Sequence, residues 1–245
     1  MSGILDRAYA RSKRGLAHEN VDWHPIVQDN PLPPIWYCFV PKIVVRDKGL
    51  REGILPKEGK VVTYVISSLN LVASDAEQFM CNLRQIYDDA MEKINEDLKQ
   101  WRDINLLGIS LGNVLSCKIA NSLPNKKVKN LVSLVGGGRL GSSTWNSIMT
   151  SHIAKSSGCK SVQEYEGLVQ EFSPLNNLEG VNAQRLFARF GSSDLLIPYN
   201  PDGKELRNSL ENLKVNEKDI KTYPFADHCS ALFFSSKAGI HDKVK

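Results

Sequence analysis

The chain has 245 residues, of which 42% are hydrophobic and 24% are charged, values that are ordinary for a globular protein. Its length suits one α/β domain, so residues 1–245 are interpreted as a single domain. The formal net charge is +4, with the basic residues scattered along the chain, so nucleic acid is not predicted as a partner.

The cysteines and the lengths of the apolar runs indicate where in the cell the protein is located. Five cysteines stand at irregular spacings without a CxxC pair, which predicts reduced, mostly buried thiols in a cytoplasmic protein. They are Cys38, Cys81, Cys117, Cys159 and Cys229. No apolar run has the length of a membrane span, so stable membrane insertion is not expected. Residues 1–20 lack the apolar segment of a secretory signal; an organellar transit peptide is an alternative that Asp6 and Glu19 disfavour.

Short apolar runs predict the strands in the first half of the chain. They lie at 35–40, 61–66, 105–109 and 128–135. Apolar residues from Phe79 to Leu98 recur every three or four positions, which predicts an amphipathic helix capped by Ser74 and Glu77. A second helix is predicted from Leu111 and ends before Pro124. Segment 42–60 has no clear pattern.

Periodicity is weaker in the second half. Residues 139–184 are polar, with weak helical patches at 145–156 and 161–172, and are interpreted as a small helical lid inserted between two strands. Strands are then predicted at 185–190 and 220–223, with helices at 204–214 and from about Ser230 onward. Apolar strands that alternate with helices predict an α/β fold with a doubly wound, mostly parallel sheet.

The string from Gly108 to Gly112 reads G-I-S-L-G. A G-x-S-x-G string alone is weak evidence, since about 0.1 matches are expected by chance in a chain of this length. Here it joins a predicted strand to a predicted helix, which is the setting of a nucleophilic serine on a sharp turn. The glycines leave room for neighbouring chain, and the N–H of Leu111 at the helix start can stabilise an oxyanion. The alternative is that Ser110 only caps a helix.

A nucleophilic serine needs a base and a carboxylate that orients the base. The histidines after Ser110 are His152, His228 and His241. Only His228 closely follows a predicted strand, where doubly wound sheets place their active sites. Asp194 directly follows strand 185–190 and is the candidate acid. Its rival Asp227 is interpreted as a loop or helix-entry residue, because adjacent side chains in an extended loop usually point apart.

Three segments resemble the α/β-hydrolase superfamily, over roughly residues 35–240. G-I-S-L-G resembles its nucleophile elbow, G-S-S-D-L-L-I-P its acid segment and A-D-H its histidine segment, in the family's chain order. The resemblance implies that Ser110, Asp194 and His228 are catalytic. It also implies a second oxyanion N–H after strand 35–40, where many members have His-Gly and this chain has Pro41-Lys42-Ile43; the donor is placed at Ile43. Elements that normally precede this strand are not evident, which implies reduced or lost first strands.

The resemblance implies a serine hydrolase that cleaves a carboxylic ester or thioester of a small-molecule acyl substrate, without a metal or organic cofactor. Large apolar residues of the insert would line an acyl pocket or pack the insert onto the body, and packing is preferred for most of them. They are Trp145, Ile148, Met149, Ile153 and Tyr165. Two alternatives stay open: a non-catalytic binding protein on the same scaffold, and an acyltransferase that uses the same triad. The sequence does not predict the substrate or the oligomeric state.

Overall fold

A computed structural model describes residues 25–28, 34–66, 72, 75–123 and 127–238. Its strands are β1 Ile26–Gln28, β2 Ile35–Pro41, β3 Lys60–Ile66, β4 Ile104–Ile109, β5 Val128–Leu134, β6 Ala183–Gly191 and β7 Glu217–Tyr223. They form one sheet in the order β1-β3-β2-β4-β5-β6-β7. The β1–β3 pair is antiparallel and the other pairs are parallel. The prediction of a mostly parallel α/β sheet is confirmed.

Helices cover both faces of this sheet. In the described part of the chain they are α1 Lys42–Arg46, α2 Lys48–Ile54, α3 Ala76–Gln100, α4 Gly112–Ser122, α5 Leu140–Asn146, α6 Ser151–Lys155, α7 Val162–Val169, α8 Lys204–Asn212 and α9 His228–Lys237. One apolar core lies under α3, α4, α7 and α8, and a second lies under α1, α2 and α9. Within the described ranges, no helix combines the length and the apolar character needed to cross a membrane.

Three local predictions differ from the structure. The cap of α3 is Asp75, whose carboxylate accepts a hydrogen bond from the N–H of Glu77 at 2.9 Å, whereas the predicted cap Ser74 lies outside the described residues. A short strand, β1, precedes residue 35, where no strand is predicted from the sequence. Segment 42–60, which showed no pattern, contains α1 and α2. All three are short elements or element ends, which depend on tertiary contacts more than on periodicity.

The cysteine prediction is only partly right. All five thiols are free, but only Cys38 and Cys117 are buried, while Cys81 and Cys229 are exposed. The expectation of mostly buried thiols is therefore wrong. Cys81 lies on α3 and Cys229 on α9, helices that each have an exposed side, and the spacing of the cysteines does not show which side of a helix they occupy.

Strand β7 is the last strand on one side of the sheet that the described residues form, where it pairs with β6. Its sequence is Glu-Lys-Asp-Ile-Lys-Thr-Tyr, and none of its residues is fully buried. Two ion pairs tie it to β6, between Arg185 and Glu217 and between Arg189 and Asp219. The Arg189 side chain is completely buried, so its guanidinium requires the Asp219 carboxylate as a partner.

Residues 139–184, between β5 and β6, pack largely against the body of the protein. Tyr165, Val169 and Phe172 are completely buried in the core that also holds α3 and α4. Of the side chains considered for an acyl pocket, Trp145 and Ile153 pack partly buried against this core, whereas Ile148 is 47% exposed. The packing interpretation therefore describes most of these residues.

A buried carboxylate lies where this segment meets the loop before α8. The Asp202 side chain is fully buried, and the backbone carbonyl oxygen of Asp202 accepts a hydrogen bond from Gly138 N–H at 3.1 Å. Burial raises the pKa of Asp202 to about 6, and the nearby Glu205 and Glu166 carboxylates add to this. The Ser142 hydroxyl and the Arg139 guanidinium act in the opposite direction.

The Asp202→Asn variant is expected to be more stable than the wild type at pH 7.5, by about 1–3 kcal/mol. Above pH 6 the folded state holds an unfavourable buried charge. As the pH falls from 6 towards the unfolded pKa of about 4, the folded state takes up the proton first and the penalty disappears. Urea unfolding of both proteins from pH 4 to 8 measures this difference. An exposed control, Asp88→Asn, should change the unfolding free energy by less than about 0.5 kcal/mol; a difference for Asp202→Asn that is constant with pH contradicts the prediction.

Candidate active site

Ser110 occupies a sharp turn between β4 and α4. Its φ is +57°, and its N–H donates to Leu134 O at 2.9 Å, which holds the turn against the end of β5. A Cβ at Gly112 would lie 2.1 Å from Phe39 O, and one at Gly108 would lie 2.2 Å from Ser116 Oγ. Both positions therefore require glycine, because neighbouring backbone and the helix approach the turn closely.

Backbone strain is concentrated at this edge of the sheet. Among the described residues, the non-glycine residues with positive φ are Ser110, Val135 and Phe225, at +57°, +48° and +58°. They follow the carboxyl ends of β4, β5 and β7. A left-handed φ costs free energy for residues other than glycine, most of all for a β-branched one such as Val135, and strain of this kind clusters at functional sites.

Asp194 and His228 form a buried hydrogen-bonded pair. His228 Nδ1 lies 2.7 Å from Asp194 Oδ2, and the two residues are 7% and 5% exposed. The other carboxylate oxygen, Oδ1, accepts hydrogen bonds from the N–H groups of Leu196 at 2.9 Å and Ile197 at 3.0 Å. These donors fix the carboxylate, so Nδ1 of His228 carries the proton towards it and Nε2 is left as the basic nitrogen.

The loops that carry the acid and the histidine are joined by backbone contacts. Ser192 N–H donates to Tyr223 O at 3.1 Å, and Ser193 N–H donates to Ala226 O at 3.0 Å. A Cβ at Gly191 would lie 2.5 Å from Ala226 O. Gly191 was not singled out in the sequence, although a glycine directly before the Ser-Ser-Asp turn is the signal for this close approach.

The predicted oxyanion donors lie near the ends of β2 and β4, which pair side by side. Leu111 is the N-cap residue of α4, and its N–H donates no backbone hydrogen bond within the described residues. Ile43 lies in the first turn of α1, directly after β2, where N–H groups lack an intrahelical acceptor. The predicted loop at Pro41 to Ile43 is thus the end of β2 and the start of a helix.

The structure brings the predicted acid and base into contact, while the hydrogen bonds of the described residues do not include one between Ser110 Oγ and His228 Nε2. Asp227, the rival acid, is instead the N-cap of α9 and accepts a hydrogen bond from Ser230 N–H at 2.7 Å. His152 lies in α6, and His241 lies outside the described residues. In the described ranges, no group of three or more His, Cys, Asp or Glu side chains is placed to hold a metal ion.

Comparisons with known proteins identify the fold. No protein-family model and no curated protein sequence matches the chain. Among solved structures, the acylaminoacyl peptidase of Pyrococcus horikoshii superposes with a TM-score of 0.56 at 16% identity, over 89% of this chain and 38% of that one. An esterase domain from Rhodothermus marinus gives 0.52 at 11% identity, over 88% and 90% of the two chains. A Klebsiella pneumoniae protein assigned as a dienelactone hydrolase gives 0.52 at 19% identity, over 89% and 87%.

These similarities and the strand order show that the chain has the α/β-hydrolase fold. The chain corresponds to little more than a third of the length of the archaeal peptidase. One fold supports many chemistries, so the activity of the chain depends on the residues of its site.

Proposed function

We propose that this protein is a serine hydrolase that cleaves a carboxylic ester or thioester of a small-molecule acyl substrate. The observation that carries the proposal is the buried His228–Asp194 hydrogen bond at the sheet edge where Ser110 sits on a strained turn. A serine hydroxyl becomes nucleophilic when a neighbouring imidazole accepts its proton, and a buried carboxylate stabilises the imidazolium that results.

In this mechanism Ser110 Oγ attacks the substrate carbonyl carbon while His228 Nε2 takes the hydroxyl proton. The N–H groups of Leu111 and Ile43 donate to the oxyanion of the tetrahedral intermediate, whose charge they stabilise in place of water. His228 then protonates the departing alcohol or thiol, which leaves an acyl group on Ser110. Water, deprotonated by His228, attacks the acyl-enzyme and releases the carboxylic acid. Asp194 holds the imidazole in the required tautomer throughout.

The segment 139–184 is proposed to border the substrate site as a small cap. Ile148 N–H donates to Leu195 O at 3.2 Å, so the segment reaches the residue next to Asp194. Both Ile148 and Leu195 are exposed large apolar side chains, at 47% and 61%. An apolar surface next to the candidate acid suits an acyl group that is bound at this site. We also propose that the protein is cytoplasmic and that nucleic acid is not among its partners.

Labelling with a fluorophosphonate, which phosphonylates activated serines, tests the proposal. We expect one covalent adduct on the wild-type protein, located by peptide mass spectrometry at Ser110, and no adduct on the Ser110→Ala variant. Ser133→Ala is the matched control, since Ser133 is a buried serine of the adjacent strand β5, and it should label like the wild type. Failure of the wild type to label, together with no turnover of any p-nitrophenyl ester or thioester, would favour the non-catalytic binding protein.

A further inference from the structure

A buried amide supports the turn that carries Ser110. Asn113 lies in the first turn of α4, three residues after Ser110, and is completely buried. Its Nδ2 donates to Ser110 O at 3.0 Å and to Leu134 O at 2.9 Å. One side chain therefore binds the backbone of the candidate nucleophile and the backbone of the neighbouring strand at once.

The two carbonyl groups belong to the strained part of the site. Leu134 O also accepts the N–H of Ser110, so the amide of Asn113 and the backbone of Ser110 share one acceptor. Leu134 is followed by Val135, whose φ is +48°, and Ser110 itself has a φ of +57°. Strained conformations persist only where the surroundings determine them, and the Asn113 amide supplies two hydrogen bonds at this place.

The loop after β5 is shaped to admit this amide. A Cβ at Gly136 would lie 2.7 Å from both Cγ and Nδ2 of Asn113. A side chain at position 136 would displace the amide from the two carbonyl oxygens. The glycine at position 136 thus leaves the space that the Asn113 amide occupies between α4 and the end of β5.

We infer that Asn113 is a positioning residue, which fixes the direction of Ser110 Oγ by holding the elbow against β5. This inference rests on the proposed serine-hydrolase function and adds to it the residue that maintains the geometry of the nucleophile. Asn113 binds backbone carbonyl groups, so it acts through Ser110. Displacement of a reacting atom by about 1 Å lowers rates by about 10²-fold, which sets the size of the expected effect.

The test compares Asn113→Ala and Asn113→Asp with Asn105→Ala. Asn105 is a matched control because it is a buried asparagine of β4, at the opposite end of the strand, that donates to Ile35 O at 3.0 Å. We expect both Asn113 variants to lose about 10- to 100-fold in the fluorophosphonate rate constant and in kcat, with KM changed less than about threefold. Asn105→Ala should lower Tm about as much as the Asn113 variants do. It should keep the fluorophosphonate rate constant and kcat within about threefold of the wild type. The Asp variant should be the slower of the two, because its carboxylate faces two carbonyl oxygens.

Hydrogen exchange at the Ser110 amide gives a readout that does not need activity. Because the Asn113 amide orders the acceptor Leu134 O, exchange at Ser110 should accelerate at least tenfold in Asn113→Ala and not in Asn105→Ala. Wild-type rate constants or unchanged exchange at Ser110 in folded Asn113 variants would overturn the inference. Failure of the wild-type protein to label at Ser110 would instead overturn the proposed function, and the exchange result would still decide whether Asn113 holds the turn.

Discussion

The His228→Ala variant is expected to lose ester hydrolysis by a factor on the order of 10⁶ in kcat. In the proposed mechanism the imidazole accepts the proton of Ser110, so without it the hydroxyl remains a weak nucleophile. The remaining catalysis would come from binding and from the oxyanion N–H groups alone. The ratio of the kcat values of the wild type and the variant is measured from turnover of p-nitrophenyl butyrate, with protein free of contaminating esterase.

The control for this variant is His152→Ala, which removes the other described histidine that follows Ser110 in the chain. It should keep kcat within about threefold of the wild type, since His152 lies in α6 and has no part in the proposed proton transfer. Circular dichroism checks that His228→Ala is folded, because His228 is buried at the start of α9. A folded His228→Ala protein with more than a tenth of wild-type activity would contradict the proposed role of His228.

The Asp194→Asn variant is expected to lower kcat by about 10⁴-fold with little change in KM. Asn keeps the shape of the side chain, but its carboxamide has no negative charge to stabilise the imidazolium. If its NH₂ group faces Nδ1 of His228, the histidine is held in the tautomer that lacks a lone pair on Nε2. The expected result is thus a protein of nearly normal fold and binding with a much slower acylation step, measured by single-turnover kinetics.

Asp227→Asn is the matched control for the acid. The hydrogen bond from Ser230 N–H holds the pKa of Asp227 below its ordinary value, as expected for a helix cap. Asparagine caps helices about as well as aspartate, so this variant should lose less than about 1 kcal/mol of stability and keep kcat within about threefold. If Asp227→Asn instead lost more activity than Asp194→Asn, the acid would have been assigned to the wrong residue.

The sequence predicted the elements on which the site depends. Buried parallel strands are continuous apolar runs, and the runs at 35–40, 61–66 and 105–109 coincide with β2, β3 and β4 within one residue at each end. The position of Ser110 at the junction of β4 and α4 followed from the change of periodicity at that point. Asp194 and His228 were found by the same logic, since each follows closely on a strand of the sheet.

Contacts between distant segments could not be predicted in the same way. Gly191 and Asn113 are ordinary residues in the sequence, and only the approach of Ala226 O and of Leu134 O gives them a role. The helix that begins at Lys42 has five residues, too few for a periodic signal, so the surroundings of Ile43 were predicted as a loop. Short helices and close approaches are set by tertiary packing, which one sequence does not display.

The two lateral edges of the sheet bear on how the protein avoids self-association. An outer strand presents unpaired backbone groups that can template pairing with another chain. Among the described strands, β1 at one side has only three residues, and β7 at the other side alternates acidic and lysine side chains along its first half. A short strand and a charged strand are both poor templates for aggregation. The apolar strands β2 and β4 lie between these two, each paired on both sides, so the described sheet offers no long apolar outer strand to another chain.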